Sequence, residues 1–271
     1  MRAPHSSGTA LITGASSGIG ACYADRLARR GFDLLLVARD QGRLEALAAD
    51  LRASHGVNVE VLKADLTQAS DMATVGQRLR TDASITLLIN NAGMASTSTL
   101  THAEPGAFDP LIHLNVVALT HLTAAAAAGF VARARGAIVN IASVVPMIPE
   151  QFNPVYTASK AYVLSLTQSL AAELANTHVQ VQAVMPGATR TEIWDRAGID
   201  VAAIPAEMLM DVDEMVDAAL AGFDQGEAVT IPSLPDVADW QAFIRARQAL
   251  GPHLSLQHAA ARYQSSDARP D

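Results

Sequence analysis

Thr13-Gly14-Ala15-Ser16-Ser17-Gly18-Ile19-Gly20 follows directly on the apolar run at residues 9–13 and leads straight into a helical pattern over residues 19–30. A strand that passes through a glycine turn into a helix is where an open parallel sheet holds a pyrophosphate. Glycines let backbone N–H groups approach the phosphates, and the helix N-terminus adds partial positive charge. The spacing is G-x-x-x-G-x-G, so the commoner G-x-G-x-x-G fingerprint is not met. The same residues also suit a glycine-rich turn that holds nothing.

Outward from that turn the same rhythm repeats. Further apolar runs lie at residues 33–38, 58–63, 86–90, 137–142, 179–184 and 228–231. Helical periodicity occupies residues 41–55, 70–81, 108–135, 156–177, 212–224 and 236–250 between and after them. Runs apolar throughout fit strands covered on both faces, and strand–helix alternation with short joints predicts a parallel sheet sandwiched by helices. The fold class is therefore α/β, a single doubly wound Rossmann-type domain over residues 1–250. Residues 187–210 carry Gly187, Gly198 and Pro205 without a clean period and are expected to form a mobile flap. Residues 251–271 are expected to be a loosely held tail, with Tyr263 as an anchor.

With 271 residues, 50% hydrophobic and 17% charged, the chain suits one generous core. A net charge of −8 has the wrong sign for a phosphate backbone, and 4% aromatics offer few stacking platforms, so no nucleic-acid partner is expected. No apolar run approaches the ~20 residues of a membrane helix, the longest being the alanine-rich residues 123–132, so no membrane partner is expected. Residues 1–8 lack a signal-peptide core, and Cys22 alone forms no intrachain disulfide, which fits a cytoplasmic protein. One cysteine and eight histidines without an H-x-x-x-H pair backed by a further ligand leave no metal site to expect. Ser143 lacks a G-x-S-x-G elbow, which argues against a hydrolase.

The second strand run ends in Ala38-Arg39, nineteen residues past Gly20. An acidic residue at this distance would accept from the adenine ribose and select NAD. Arg39 instead can pair with a 2′-phosphate, with a hydroxyl from Ser16, which favours NADP(H) over NAD(H). The alternative is that Arg39 is a solvated cation and Asp40 turns to the ribose. Asp65-Leu66, past the third run, is placed to bracket an adenine, although Asp-Leu-Thr also begins helices. Asn91, Ala92 and Gly93 close the fourth run, where they suit both cross-strand hydrogen bonds and close approach of a nucleotide.

Tyr156 and Lys160 are four apart and share one helix face. A phenol near pKa 10 is a poor base, and an ammonium one turn away is expected to pull it towards neutrality. Lys160 is one of two lysines in the chain. Ser143, just past the fifth run, can donate to a substrate oxygen, although a lone serine there also suits a turn. Asn115, an indifferent helix former, can open its helix ladder and seat a water against Lys160, or be merely tolerated there.

Together these motifs resemble the classical short-chain dehydrogenases/reductases. The glycine turn of residues 13–20, Asn90-Asn91-Ala92-Gly93, Asn115, Ser143, Tyr156-Thr157-Ala158-Ser159-Lys160 and Pro186-Gly187 occur in the family's order and spacing, across residues 9–190. The resemblance implies a seven-stranded sheet of order 3-2-1-4-5-6-7 and a homodimer or homotetramer. It implies Tyr156 as general acid/base, with Lys160 lowering its pKa and holding the nicotinamide ribose. Ser143 would steady the reacting oxygen and Asn115 would support a proton relay. Gly14, Ser16, Ser17, Gly18, Ile19 and Gly20 would line the pyrophosphate side, and Pro186, Gly187 and Thr189 the nicotinamide side.

After residue 190 the resemblance weakens. In place of the glycine-rich stretch common after the last strand, the chain reads Ala228-Val-Thr-Ile-Pro-Ser-Leu-Pro-Asp236. Val145 and Phe152, with Ile193 and Trp194 in the flap, form an expected apolar substrate wall, or simply pack the flap. The function expected is hydride transfer between NADP(H) and an apolar ketone or aldehyde. The alternatives are an NAD-dependent alcohol dehydrogenase and a dinucleotide-binding sensor or scaffold without chemistry.

Overall fold

Leu34, Leu35, Leu36 and Val37 follow one another along a single strand, yet none is more than 1% exposed. Alternate side chains of a strand point to opposite faces, so both faces of this sheet are covered. A computed structural model describes residues 8–196, 198 and 200–263. Residues 1–7, where no leader is expected, residues 197 and 199 of the flap and residues 264–271 of the tail lie outside the described residues.

Seven strands run in chain order: β1 (Thr9–Thr13), β2 (Asp33–Ala38), β3 (Val59–Lys63), β4 (Ile85–Asn90), β5 (Gly136–Ile141), β6 (Val179–Val184) and β7 (Val229–Thr230). They form one parallel sheet of order β3-β2-β1-β4-β5-β6-β7. The helices are α1 (Gly18–Arg29), α2 (Gln41–His55), α3 (Ala69–Thr81), α4 (Asp109–Ile112), α5 (Leu119–Ala132), α6 (Pro154–Glu173), α7 (Ile193–Arg196), α8 (Val212–Asp224) and α9 (Val237–Ala249). Helices α1, α2 and α8 pack on the face that bears Ala10, Ile12, Leu34 and Leu36. Helices α3, α5 and α6 cover the other face, which bears Leu11, Leu35 and Val37. Burying each such leucine contributes roughly 1.5–3 kcal/mol.

The stretch Asp109–Ala132 is helical over 24 residues and is long and apolar enough, by length and composition, to cross a membrane. This corrects the expectation, drawn from continuous apolar runs, that nothing in the chain approaches a membrane helix in length and composition. The apolar residues are spread through two helices joined without a break, so no single run of sequence displays them. Ala118, Leu122, Ala125, Ala126 and Phe130 lie in the core under the sheet.

By internal packing the described chain falls into two units, one ending at Pro232 and the other beginning at Ser233. In the second, α9 has no buried residue, and Trp240 stacks on Phe243 with ring centroids 5.4 Å apart. Tyr263, the expected anchor of the tail, is 71% exposed.

Beneath the carboxyl edge of the sheet lies a dry polar cluster. The amide of Asn90 donates to Thr123 Oγ1 and to Asn140 Oδ1, both at 2.9 Å. Asn140 Nδ2 in turn donates to Thr167 Oγ1 at 3.0 Å. All four residues are buried, so β4 and β5 are tied to α5 and α6 where water cannot compete. Asn140→Ala is expected to lose about 1–3 kcal/mol of stability by leaving buried partners unsatisfied, read from chemical denaturation.

Candidate active site

The glycine turn is shaped by contacts that leave no room for side chains. A Cβ at Gly20 would sit 2.4 Å from the Gly14 carbonyl oxygen and 2.6 Å from Asn91 Nδ2, and Gly14 itself has φ +64°. Asn91 Nδ2 donates to the carbonyls of Thr13 and Gly14 at 2.9 and 3.1 Å. Thr13 Oγ1 accepts from the backbone amides of Asn91 and Ala92, both at 3.0 Å. Asn91 therefore fastens the end of β4 to the turn after β1. Ser17 is the N-cap of α1, while Gly18 and Ile19 form its first turn.

A cleft of about 520 Å³ opens beside this turn and brings together Gly14, Ser16, Arg39, Asp65, Leu66, Ala92 and Gly93, seven of the residues singled out in the sequence. Asp40 also reaches the cleft, but its Oδ1 accepts from the Arg43 amide at 3.0 Å and caps α2. Burial acts to raise the Asp65 carboxyl, yet hydrogen bonds from the Thr67 hydroxyl and amide, together with the Arg39 charge, hold it below the usual carboxylate range. The cradle, its cations and its size fit a dinucleotide.

Two charged lining residues, Arg43 and Glu192, escaped the sequence reading. Arg43 Nη1 meets both carboxylate oxygens of Glu192, at 3.0 and 2.8 Å, and bridges α2 to the flap across the cleft. The two are 149 positions apart, and no local pattern marks the pair. Both side chains are about half exposed, so the bridge stabilises by at most about 1 kcal/mol.

At the other end, Ser143 is buried just past β5, with its Oγ 3.4 Å from the Pro186 carbonyl oxygen. The Ser143 hydroxyl stands close enough to the Tyr156 hydroxyl to favour its ionised form. Lys160, one turn further along α6, is buried and donates to the Ile141 carbonyl at 2.9 Å. Its ammonium lies 5.8 Å from the centre of the Tyr156 ring. Burial pushes the phenol up to about 12, with the Ser143 hydroxyl acting the other way. Burial alone pulls Lys160 down from 10.5 to about 8. The expected lowering of the phenol by Lys160 is thus corrected: the ammonium is aimed at a backbone carbonyl, and desolvation dominates.

Asn115 lies in a π-helical turn, His113–Ala118, between α4 and α5, so the expected opening of the helix ladder is present. Its Oδ1 accepts from the Met94 amide, and its Nδ2 donates to the Met94 carbonyl, both at 2.8 Å. Nδ2 also reaches Ser159 Oγ at 3.1 Å. The side chain is thus taken up by the loop after β4 and by α6.

Thr189 Oγ1 donates to the Gly187 carbonyl at 3.2 Å, and its backbone pairs with Met210, joining the two ends of the flap. Of the expected substrate wall, Val145 is buried, Ile193 and Trp194 are half-buried, and Phe152 is 43% exposed. Trp194 donates its indole N–H to the Thr189 carbonyl at 2.7 Å, a bond internal to the flap.

Gly20→Ala is expected to open the turn at a stability cost of about 1–3 kcal/mol, and to weaken dinucleotide binding in a fluorescence titration. The shift at Lys160 carries its own sign. Between pH 8 and 10.5 the folded protein releases a proton that the unfolded chain still holds, so stability from this position grows with rising pH and is lost below 8. Lys160→Met should be more stable than wild type at pH 7 in urea, with the gap closing towards pH 10.5.

Comparison with known proteins accords with this geometry. The family model described as short chain dehydrogenase matches residues 8–201. A short-chain dehydrogenase of Sphingobium yanoikuyae, solved in complex with NADPH, is 56% identical with a TM-score of 0.92, over 95% of this chain and all of that one. A bulky-bulky ketone specific alcohol dehydrogenase of Comamonas testosteroni is 48% identical with a TM-score of 0.88, over 95% of this chain and 99% of that one. An uncharacterised oxidoreductase of Staphylococcus saprophyticus is 32% identical over 82% of this chain and 93% of its own length. The chain belongs to the short-chain dehydrogenase/reductase family, as an oxidoreductase that moves hydride between a nicotinamide dinucleotide and a CH–OH or carbonyl carbon.

Proposed function

We propose that this enzyme is an NADP(H)-dependent reductase of bulky, apolar ketones or aldehydes, with Tyr156 as the proton donor. The observation that carries the reading is that the buried Ser143 and Lys160 stand with the half-buried Tyr156 at the sheet edge, and that Gly93, which borders Lys160, also lines the cleft of Arg39 and Arg43.

Cofactor preference follows from charge. Arg39 and Arg43 place two guanidinium groups at the cleft, and Asp40, the one acidic candidate for the ribose, is engaged as a helix cap. The NADPH bound by the Sphingobium relative supports the same choice. Apolar groups at Val145, Ile148, Phe152 and Ile193 carry no fixed charge to meet a sugar phosphate, and the Comamonas relative's ketone specificity supports a bulky carbonyl.

A nicotinamide bound in the cleft supplies the hydride. The carbonyl oxygen is held by the hydroxyls of Ser143 and Tyr156, two donors placed where alkoxide charge develops. A phenol held near 12 stays protonated at neutral pH, which makes Tyr156 an acid ready to deliver its proton as that charge appears. Lys160 keeps its charge to about pH 8 and holds it 5.8 Å from the centre of the Tyr156 ring. Asn115 fixes the loop after β4 against α6.

Tyr156→Phe should lower kcat for ketone reduction by about 10²–10⁴-fold while NADPH fluorescence shows unchanged binding; equal rates would remove Tyr156 from the chemistry. Losing a charge-assisted bond of about 1.5–3 kcal/mol, Arg39→Asp should bind NADPH about ten- to a hundredfold more weakly. Better use of NADH than NADPH by the wild type would overturn the cofactor reading.

A further inference from the structure

We propose that Asn153 is a positioning residue that ties the loop of residues 94–99 to the helix carrying the proton donor, and that through this loop it governs discrimination between bulky and small ketones. The inference rests on the ketone-reductase reading and adds to it a residue that makes no contact with the reacting atoms.

The loop begins at the chemistry. A Cβ on Gly93 would stand 3.3 Å from Asn115 Oδ1 and 3.6 Å from Lys160 Nζ. Residues 94–99 then leave that point with no regular secondary structure. Their side chains after Met94 are short, Ala95-Ser96-Thr97-Ser98-Thr99, so the loop has no apolar anchor of its own. Its start is held through Met94 by Asn115. Further along, Asn153 Nδ2 donates to the Ser98 carbonyl in a close hydrogen bond.

The other end of the same amide grips the catalytic helix. Asn153 is the N-cap of α6, and its Oδ1 accepts from the backbone N–H of Tyr156 at 2.8 Å. Pro154 follows at the first helical position, where its ring restricts the backbone that aims Asn153. Serine or aspartate would cap this helix as well as asparagine. An amide accepts through one atom and donates through another, whereas a serine hydroxyl must do both from a single oxygen closer to the backbone, so the cap alone does not account for the residue. The bond also draws the loop against the segment bearing Ile148 and Phe152, which are 41% and 43% exposed. An apolar wall and a loop of short side chains are thereby held in register with the Tyr156 backbone.

Asn153→Ser keeps a capping oxygen but loses the separate amide N–H that reaches the Ser98 carbonyl while the oxygen caps the helix; Asn153→Ala removes both. In Asn153→Ser the unfolding midpoint should stay within about 2 °C of wild type, and amide hydrogen exchange in peptides covering 94–99 should quicken. The ratio of kcat/KM for a bulky aryl ketone to that for a small aliphatic ketone should fall about fivefold, as the loss of one neutral hydrogen bond gives, through KM more than kcat. NADPH affinity, read by fluorescence, should not move. Unchanged exchange at 94–99, or an unchanged ketone ratio, overturns the proposal. So does an equal loss for all ketones that parallels the unfolding midpoint across Ser and Ala, because that is the signature of a cap alone. A wild type that reduces no ketone defeats the functional reading instead, while the exchange comparison still decides whether the tether exists.

Discussion

Parallel strands covered by helices on both faces leave few places for chemistry. Side chains along β1, β2, β4 and β5 are taken up by the two cores, and the parallel connection turns every strand in the same direction. Polar residues that must meet a ligand are therefore confined to the carboxyl ends, which all open on one edge. Gly14 follows β1, Arg39 follows β2, Asp65 follows β3, Gly93 follows β4, Ser143 follows β5 and Pro186 follows β6. Four of these joints line one cleft, and those of Ser143 and Pro186 meet each other at the same edge, because the sheet turns every strand end that way.

That confinement also sets the electrostatics. Lys160 and Tyr156 stand where α6 crosses the end of β5, and the same lack of water that raises the phenol lowers the ammonium. Each shift on its own opposes the charged form, so the free site favours a neutral phenol. The Ile141 carbonyl compensates the ammonium in part, and the Asn90–Asn140–Thr167 chain fixes the helix that carries it. A buried charge is tolerable only in a frame that cannot relax around it, and here that frame is the central pair of strands.

What could be read from the residues was local. Leu34-Leu35-Leu36-Val37 announced a strand buried on both faces, the glycine turn announced its place after β1, and the spacing of Tyr156 and Lys160 announced a shared helix face. Side-chain choices among distant partners stayed hidden. Nothing near Arg43 points to Glu192, and nothing near Asn153 points to Ser98. The direction of the Tyr156 shift was misread for the same reason. Spacing puts two groups on one face but does not say where an ammonium points or how dry its surroundings are. The helix through Asp109–Ala132 was legible as residues 108–135, but its overall apolar character was missed because residues such as Asn115 break the apolar run without interrupting the helix.

The flap shows how differing bond strengths divide one segment. Its ends are joined backbone to backbone, by Met210 N to the Ala188 carbonyl and Arg190 N to the Met210 carbonyl, both at 2.9 Å. Trp194 adds an indole bond within the segment. Across the cleft, by contrast, the described ion pair is the half-exposed one between Arg43 and Glu192, and solvent-screened pairs of that kind contribute little. Within the described flap the backbone pairing and the indole bond are thus internal ties, while the described ion pair to α2 is a solvent-screened one. Trp194, whose apolar surface suggested a substrate contact, serves that internal cohesion first.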